Sequence, residues 1–409
     1  MNIDEAKNIE VMLEKALSEN NGILRLKPSW VARDFLLTGK NLGLKDEEYE
    51  TETGAKISER WVGSTTRAET GLTSPNEGLS LACLSEDIDN KATNVFLADV
   101  IKNFKEMIMG KEYSKTHNDL DRLAKVFCYS DRLFYHVHQR QQDVEKLGRK
   151  SKEEAYYFPE NFDLGLHPET FFGVHPYIAQ EKKYDILLPY IIEWKDDRIL
   201  KHARGYVTQH DDGFHLPAGI PHAPSTALTI ELQENSDVLS VFQALVGGKI
   251  LSKQEMLYHD VAKEDKEKYG ERIALQLIDW EASGDPYFYE NHHTPPIIIE
   301  ESKQQGGSES WIFYNTNKFS GKKTVVKPGE KYISTDKGVY NILVWEGKGK
   351  FDGHFIEAYN FGYDELLVTH DKAIKPLTIE NDGEKDLVIF KFFGPGINKD
   401  VPMLKKYIV

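Results

Sequence analysis

Short runs in which apolar and polar residues alternate recur along the chain, and they predict a mainly β protein. Alternation with a period of two is typical of strands, because successive strand side chains point to opposite faces of a sheet. Such runs, rich in aromatic and β-branched residues, occur at 57–63, 123–138, 152–158 and 205–241. Stripes with a helical period occur at 1–20, 94–109 and 264–281. We therefore expect a β framework with added helices.

The spacing of these runs divides the chain into three parts. The first, 1–22, is an N-terminal helix that ends at Asn20-Asn21-Gly22. The second, 23–290, contains the longer strands and several helical insertions. The third, 291–409, begins at a Pro-containing segment and continues as short strands with Gly-rich turns, at 311–314, 323–326, 339–345, 354–358, 365–369, 376–379 and 387–393. This spacing predicts a second β sandwich or barrel.

The length of the chain and its net charge limit the classes of partner that we expect it to bind. The 409 residues are enough for two or three domains with buried cores. Lys and Arg number 51 against 66 Asp and Glu, so the formal net charge is −15. An acidic surface argues against nucleic acid and against an anionic membrane as partners. A small-molecule partner, even an anionic one, stays compatible with this balance because a single pocket can be basic.

The cysteines and the N-terminus favour a cytoplasmic protein. Cys83 and Cys128 both have apolar neighbours, which is typical of buried free thiols and not of a disulfide framework. The N-terminus lacks the apolar segment of a secretory signal, and the chain contains no run of 18 apolar residues. We expect a cytoplasmic location and no membrane partner.

Four residues form a candidate metal site. His136 and His138 lie in the predicted strand 132–138, so they share one face at a separation of about 6–7 Å. Glu154 is near the start of an aromatic strand, and His222 follows a Pro-Ala-Gly turn. A lone His-x-His is weak evidence, but the four residues appear in the order in which cupin barrels present metal ligands. Three imidazoles and a carboxylate suit Zn²⁺ best, and also Mn²⁺, Fe²⁺, Co²⁺ or Ni²⁺.

Lys152 is a candidate for proton transfer. It lies two residues before Glu154, so both face one cavity if the strand extends that far. A divalent cation beside an ammonium group destabilises it, so the pKa of Lys152 would move towards neutrality. A solvated lysine in the basic run 149–152 explains the sequence pattern equally well. Four other histidines are more typical of surface or packing positions: His167, His175, His210 and His215.

Several motifs together resemble the type I phosphomannose isomerase (mannose-6-phosphate isomerase) family of metal-dependent bicupin enzymes. The motifs are the strand pair Leu123–His138, the Lys-x-Glu strand Ser151–Tyr157, the turn Leu216–Ala223, the Glu-Leu-Gln-Glu-Asn-Ser-Asp run Glu231–Asp237 and the early strand Glu59–Val62. They cover residues 23–245, and the C-terminal part resembles the family by architecture. The resemblance implies two cupin (jelly-roll) barrels with added helices.

The resemblance also implies roles for single residues. His136, His138, Glu154 and His222 become the ligands of a divalent metal, with zinc favoured, and Lys152 becomes a catalytic residue. Two further residues are expected to bind the substrate, Lys125 as an anion contact and Glu59. Independently of the resemblance, Trp30 is a third candidate, by stacking on a sugar ring. An aromatic residue beside an apolar run, as at Trp30, is more often a packing residue.

Three departures from the family concern the phosphate and the metal. The family has a Gln ligand where this chain has His136, a Ser where it has Phe134, and an Arg where it has Val241. The loss of a hydroxyl and a guanidinium weakens phosphate binding, because Arg is suited to bidentate phosphate contacts. The sequence thus supports the metal barrel better than it supports mannose 6-phosphate as the substrate.

The first functional hypothesis is an aldose–ketose isomerase that converts mannose 6-phosphate to fructose 6-phosphate or acts on a related sugar, phosphorylated or not. Moving a proton between C1 and C2 requires a base near the carbon and a cation near the developing oxyanion. A metal cupin with other chemistry, such as a dioxygenase, is the second hypothesis, since the same donor set suits Fe²⁺. The third is a sugar-binding homologue without turnover.

Overall fold

Strands and short helices alternate along the described chain. The structure is a computed structural model, and it describes residues 3–69 and 72–408. Within these residues the helices are α1 Ile3–Glu19, α2 Leu97–Met109, α3 Gln141–Val144, α4 Pro176–Gln180, α5 Leu188–Glu193, α6 Lys253–Met256, α7 Lys263–Tyr269, α8 Ile273–Leu277, α9 Trp280–Ser283, α10 Phe288–His292 and α11 His370–Ala373.

The strands of the same residues begin soon after the first helix and continue nearly to the C-terminus. They are β1 Ile23–Lys27, β2 Ser29–Arg33, β3 Lys56–Val62, β4 Leu81–Cys83, β5 Asn94–Phe96, β6 Leu123–Phe127, β7 His136–Val137, β8 Glu154–Phe158, β9 Glu169–Val174, β10 Ala203–Val207, β11 Asp212–Leu216, β12 His222–Ala223, β13 Thr229–Gln233, β14 Ser240–Val241, β15 Leu245–Val246, β16 Lys249–Ile250, β17 Ile297–Ile298, β18 Gly307–Phe313, β19 Ser320–Val326, β20 Lys331–Ser334, β21 Tyr340–Glu346, β22 Lys348–Phe351, β23 His354–Glu357, β24 Glu365–Val368, β25 Leu377–Asn381 and β26 Leu387–Phe393.

The chain forms two units, each built from separated stretches of sequence. The first unit consists of Met1–Val31, Arg60–Lys125 and Pro296–Met403. The second consists of Ala32–Glu59, Val126–Pro295 and Leu404–Val409. The predicted division into three parts, with boundaries after residues 22 and 290, stays a prediction. Residues 1, 2 and 409 of those parts lie outside the described residues.

The first unit contains two antiparallel sheets. The larger has the strand order β17-β18-β19-β26-β21-β24-β1-β4-β5, and the smaller has the order β20-β25-β22-β23. Strand β1 pairs with β24 on one side and with β4 on the other, so residues 23–27 join a sheet made largely of C-terminal strands. The apolar faces of these strands bury a core that includes Leu24, Ile342, Leu366 and Ile389.

The predicted N-terminal helix is present as α1, and its apolar stripe is buried through Leu13 and Ala16. The helix ends because the next residues take positive φ, 51° at Asn21 and 78° at Gly22. A side chain at Gly22 would place its Cβ 2.8 Å from Thr369 Oγ1, so the close approach to the C-terminal strands requires glycine.

The second unit contains the predicted metal-binding strands. One sheet has the order β10-β9-β12-β7-β14. A second sheet contains β11, β8 and β13 side by side in this order, all within this unit. A large core lies in this unit, with Tyr156, Phe172, Phe214 and Ile220 among its fully buried members.

The predicted fold class is confirmed, since the described chain is mainly β with antiparallel sheets and added helices. One detail was wrong, because the strand predicted over 132–138 is reduced to β7 at His136–Val137. Cys83 and Cys128 are free and buried. Among residues 3–69 and 72–408, the structure contains no helix with the length and apolar content needed to span a membrane.

Candidate metal centre

Three histidine side chains converge inside the second unit. His222 on β12 pairs directly with His136 on β7, and cross-strand neighbours point to the same face of a sheet. His138 lies just beyond the end of β7. The ring centroids of the three are 4.2–5.0 Å apart. One ligand atom from each lies within 4.8 Å of the others, and all three residues are at most 4% exposed.

Each of these imidazoles is oriented by a hydrogen bond to a backbone carbonyl. The Nδ1 atoms of His136, His138 and His222 lie 2.8, 2.7 and 2.8 Å from the carbonyl oxygens of Phe134, Val238 and Ile220. A carbonyl oxygen only accepts, so each Nδ1 carries the proton and each Nε2 presents a lone pair. Histidines that ligate a metal through one ring nitrogen typically donate the N–H of the other ring nitrogen to a carbonyl oxygen or carboxylate.

The turn before His222 brings β12 beside His138. Gly219 has φ 90°, a region that favours glycine, and its backbone N–H donates to the carbonyl of His138 at 2.8 Å. The turn thus connects two of the histidines through the backbone. It explains why a Pro-Ala-Gly sequence precedes the third one.

The Glu154 carboxylate on β8 faces two of the histidine lone pairs. Its Oε1 lies 2.9 Å from His222 Nε2, and its Oε2 lies 3.0 Å from His138 Nε2. His222 Nε2 is buried and has no hydrogen-bond partner. Two lone pairs at such distances repel each other unless a cation lies between them. The Lys152 ammonium lies beside the His138 contact, so the His222 contact is the one that calls for a proton or a metal ion.

The pKa values of His136, His138 and Glu154 are all lowered from their ordinary values. Burial, together with the neighbouring histidines, holds the pKa of His136 well below its ordinary value. Burial and the Lys152 ammonium lower the pKa of His138 to about 4. Burial raises the pKa of Glu154, but Lys152 and the histidines outweigh it and hold that pKa well below its ordinary value. Neutral imidazoles at His136 and His138 beside an ionised carboxylate are donors suited to a divalent metal ion.

Lys152 lies against the cluster although β8 begins only at Glu154. Its Nζ is 2.9 Å from His138 Nε2, 3.0 Å from Glu154 Oε2 and 3.4 Å from Glu231 Oε1. Burial lowers the pKa of Lys152, but Glu154, Glu231 and Asp237 outweigh it and raise that pKa above the ordinary value. The pKa of Lys152 is therefore shifted in the opposite direction to the one expected from the sequence. That expectation took account of a nearby metal ion but not of the Glu231 and Asp237 carboxylates.

The sequence analysis missed two residues that contact this group. The Tyr156 hydroxyl donates to Glu154 Oε1, and Glu231 lies beside Lys152. Tyr156 follows Glu154 by two positions on one strand, and Glu231 pairs opposite Tyr156 across β13 and β8. Both residues therefore lie on the face of Glu154, and period-two alternation along the two strands was sufficient to find them.

Glu59 takes part in a second buried network of the same unit. Its Oε1 accepts from Arg33 Nε at 2.8 Å and from the Tyr129 hydroxyl at 2.5 Å, and its Oε2 accepts from Arg33 Nη2 at 3.2 Å. Arg33 Nη2 also lies 3.7 Å from Asp237 Oδ2. The sequence analysis did not identify Arg33, because a single Arg in an alternating strand is usually solvated. The predicted contact of Glu59 with a substrate stays a prediction.

The other two predicted substrate-binding residues belong to the first unit. Trp30 packs against Phe361 with ring centroids 5.0 Å apart, and the Arg60 guanidinium lies over its ring. Lys125 lies 6.0 Å from the centre of the Trp61 ring. The contacts of Trp30 are those of a packing residue. Substrate roles for Trp30 and Lys125 stay predictions.

Comparison with known proteins identifies the fold. No protein-family model matches the sequence, and no curated protein matches it. Solved structures match over nearly the whole chain. Mannose 6-phosphate isomerase from Bacillus subtilis has a TM-score of 0.61 at 13% identity, with 90% of this chain and 99% of that chain covered. A phosphomannose isomerase mutant from Salmonella typhimurium has a TM-score of 0.59 at 11% identity, with 91% and 100% covered.

A zinc-bound mannose 6-phosphate isomerase matches equally well. Its TM-score is 0.59 at 11% identity, and the match covers 91% of this chain and 100% of that chain. These likenesses show that the chain has the cupin fold of the mannose-6-phosphate isomerases, as the sequence predicted. The count of two cupin barrels stays a prediction.

Proposed function

We propose that this protein is a metal-dependent aldose–ketose isomerase of the kind to which its structural neighbours belong. The observation that supports this most strongly is the convergence of three buried histidines, with ligand atoms within 4.8 Å of one another, beside the ionised Glu154. The mannose-6-phosphate isomerase fold adds support, because one matching structure of that enzyme contains zinc.

In this proposal His136, His138, Glu154 and His222 hold the ion. A bound divalent ion supplies Lewis acidity for the carbonyl and hydroxyl oxygens of the sugar. Zinc is favoured because three imidazoles and a carboxylate match its preferred donors. The carbonyl groups that accept from the three Nδ1 atoms keep the ligand rings in place, and Tyr156 orients Glu154 through its hydroxyl.

Lys152 is the proposed catalytic residue. Its Nζ is surrounded by His138, Glu154 and Glu231 within 3.4 Å, so the ammonium is fixed beside the place where the ion would lie. Isomerisation moves a proton between adjacent carbons, and negative charge develops on the sugar oxygens. An ammonium at this position stabilises that charge and holds a proton next to it.

The test is to measure sugar turnover by purified protein whose metal content is known. Zinc-loaded protein, incubated with mannose 6-phosphate and a panel of free aldoses and ketoses, should interconvert an aldose and its ketose, followed by NMR. His138→Ala should lose both the metal and the activity, whereas His210→Ala, which changes an exposed histidine bonded to the Phe162 carbonyl, should keep both. Oxygen consumption by the iron-loaded protein, without sugar turnover, would instead support the dioxygenase hypothesis.

The substrate is a small sugar, and neither nucleic acid nor membrane is a partner. The two buried free thiols, Cys83 and Cys128, fit the expected cytoplasmic location.

A further inference from the structure

We infer that the first unit contains a second binding site, which takes a small carboxylic acid in its anionic form and holds the carboxylate at Arg25. The site is a cavity of about 240 Å³. Its lining comes from three separated stretches of the chain and includes Arg25, Cys83, Glu86, His354, Phe355 and Tyr363. All of these residues belong to the first unit, whereas the candidate metal ligands belong to the second. The inference therefore does not depend on the proposed isomerase function.

The Arg25 guanidinium is held at the cavity by contacts that do not neutralise its charge. Arg25 on β1 pairs directly opposite Cys83 on β4, so the two side chains share a face of the sheet. Its Nη2 donates to the Phe355 carbonyl at 3.0 Å. The guanidinium also lies over the Tyr363 ring, 4.6 Å from its centre. Arg25 is therefore fixed beside the cavity while it keeps a full positive charge.

No carboxylate in the described part of the chain forms an ion pair with Arg25, and its buried Nη1 has no hydrogen-bond partner there. Burial lowers the pKa of Arg25, and the groups that oppose this most strongly are Tyr363 and Cys83. In contrast, Lys27 on the same strand lies 3.0 Å from the Asp89 carboxylate. A partly buried cation without a counter-ion is unfavourable. An anion that enters the cavity supplies the missing partner.

The other titratable groups of the lining favour a ligand with one negative charge. Burial lowers the pKa of His354, and its Nε2 donates to the Asn20 carbonyl at 3.2 Å, so this imidazole is neutral at pH 7. Burial raises the pKa of the Cys83 thiol to about 11, so the thiol is neutral as well. Glu86 is exposed at the same cavity and repels anions. One guanidinium beside one carboxylate suits a monoanion better than a phosphate dianion.

The size and the aromatic lining of the cavity indicate a small ligand with an apolar part. A volume of about 240 Å³ is less than the roughly 300–1,000 Å³ of pockets for drug-sized molecules. The Phe355 ring is 43% exposed and lies 6.0 Å from the Tyr363 ring. It offers an apolar surface to a short hydrocarbon chain or a single ring. The planar guanidinium matches the two oxygens of a carboxylate.

The experiment is isothermal titration of the full chain at pH 7 and constant ionic strength with acetate, butyrate, benzoate and inorganic phosphate. We expect butyrate or benzoate to bind with a Kd of about 1 mM or lower, and phosphate to bind at least about tenfold more weakly. Arg25→Gln should weaken carboxylate binding about tenfold or more, because a hydrogen-bonded charge pair is lost. Lys27→Gln is the matched control, since it removes the same charge from the same strand but from a lysine that does not line the cavity. It should leave the affinity unchanged.

A second variant tests the apolar part of the site without a change in charge. Phe355→Ala truncates a side chain that is 43% exposed, so the fold should be retained, and it should weaken binding of benzoate more than binding of acetate. Ile333→Ala truncates an apolar side chain of the same unit that is 46% exposed and lies outside the cavity. It should leave both affinities unchanged. If Arg25→Gln does not fold, as judged by circular dichroism, the comparison of these two variants decides.

Three results would overturn the inference. The first is a failure of all three carboxylates to bind. The second is phosphate binding as tight as that of the best carboxylate, which would indicate a phosphate site. The third is an equal effect of a cavity variant and its control, either Arg25→Gln with Lys27→Gln or Phe355→Ala with Ile333→Ala, because the carboxylate would then bind elsewhere.

Discussion

At the scale of single residues, the orientation of the proposed metal ligands depends on side chains outside the proposed ligand set. Tyr156 is an example, since its hydroxyl donates to Glu154 Oε1 from the same face of β8. Tyr157, the next residue, points to the other face and donates to Asp211 Oδ1 at 2.6 Å. The two tyrosines are therefore a matched pair, with one hydroxyl in the site and the other outside it.

We expect Tyr156→Phe to lower zinc affinity about tenfold, because loss of an outer hydrogen bond to a ligand typically costs about 10–100-fold. Tyr157→Phe should leave zinc affinity unchanged, although it also removes a hydrogen bond. Competition with a chromogenic chelator measures both values. Equal zinc affinities in the two variants would show that the Tyr156 hydroxyl does not support Glu154.

The buried ion pair of Arg33 and Glu59 gives a second prediction for single residues. The Arg33 guanidinium donates to both oxygens of Glu59, and both side chains are buried. Arg33→Met leaves a buried carboxylate without its cation, which costs about 3–5 kcal/mol of the free energy of unfolding. Glu59→Gln in the same chain should recover much of that loss, since the remaining amide is neutral. Urea denaturation of the wild type, both single variants and the double variant gives the coupling energy directly, and additive losses would contradict the pairing.

Residue types with strong local motifs were predictable, and residues defined only by long-range contacts were not. The predicted His136, His138, Glu154, His222 and Lys152 do converge, because each follows a recognisable strand or turn. Arg33 was missed because its partners are Glu59 and Asp237, far along the chain. The raised pKa of Lys152 was missed for the same reason, since Glu231 and Asp237 are distant in sequence.

At the scale of elements, the turn before β12 is what places His222. The sequence predicted this turn from Pro217-Ala218-Gly219, and the Gly219 N–H does donate to the His138 carbonyl. In contrast, the strand predicted over 132–138 is short, because only His136 and Val137 pair with neighbouring strands. Alternation reports which side chains share a face, but it does not report where backbone pairing stops.

Gly219→Ala should damage both stability and metal binding. The φ of 90° is unfavourable for alanine, and the new Cβ would lie 3.0 Å from Arg140 Cδ and 3.1 Å from Asp279 Cβ. The positive φ alone costs about 1–2 kcal/mol. Gly148→Ala is the control, since Gly148 also has a positive φ, of 65°, but has nothing within 4 Å of its Cβ position. Zinc affinity should fall in Gly219→Ala only, and an equal fall in both would refute a specific role for the turn.

At the scale of the whole molecule, each unit takes residues from separate parts of the chain. The pairing of β1 with β24 joins residues 23–25 to residues 366–368, and no local pattern indicates such a partner. The fold class followed from alternation, but this assembly from distant segments did not. One buried residue in each unit, His292 in the second and Glu365 in the first, makes stability depend on pH, and the two dependences have opposite signs.

His292, in the second unit, makes the folded state less stable at acid pH. Burial, with a contribution from His215, lowers its pKa from 6.5 to about 3. The unfolded chain therefore takes up a proton below about pH 6.5 while the folded chain does not, and stability is lost as the pH falls from 6.5 towards 3. The slope for one group is at most about 1.4 kcal/mol per pH unit. His292→Gln should flatten the fall in unfolding free energy between pH 6.5 and 4.5, measured in urea, and an unchanged slope would contradict the assignment.

Glu365 in the first unit has the opposite sign. Burial and the neighbouring Asp364 carboxylate raise its pKa from 4.5 to about 7. Arg60 lowers that pKa, but its guanidinium also bonds to Asp364 and does not outweigh burial. The folded state favours the protonated form, so its contribution is complete below about pH 4.5 and is lost as the pH rises through 7. Glu365→Gln keeps an oxygen for Arg60 and removes the titration, so the drop in unfolding free energy from pH 5 to pH 8 should be smaller than in the wild type. An equal drop in the variant would mean that the buried pair is ionised throughout, with Arg60 sufficient for both carboxylates.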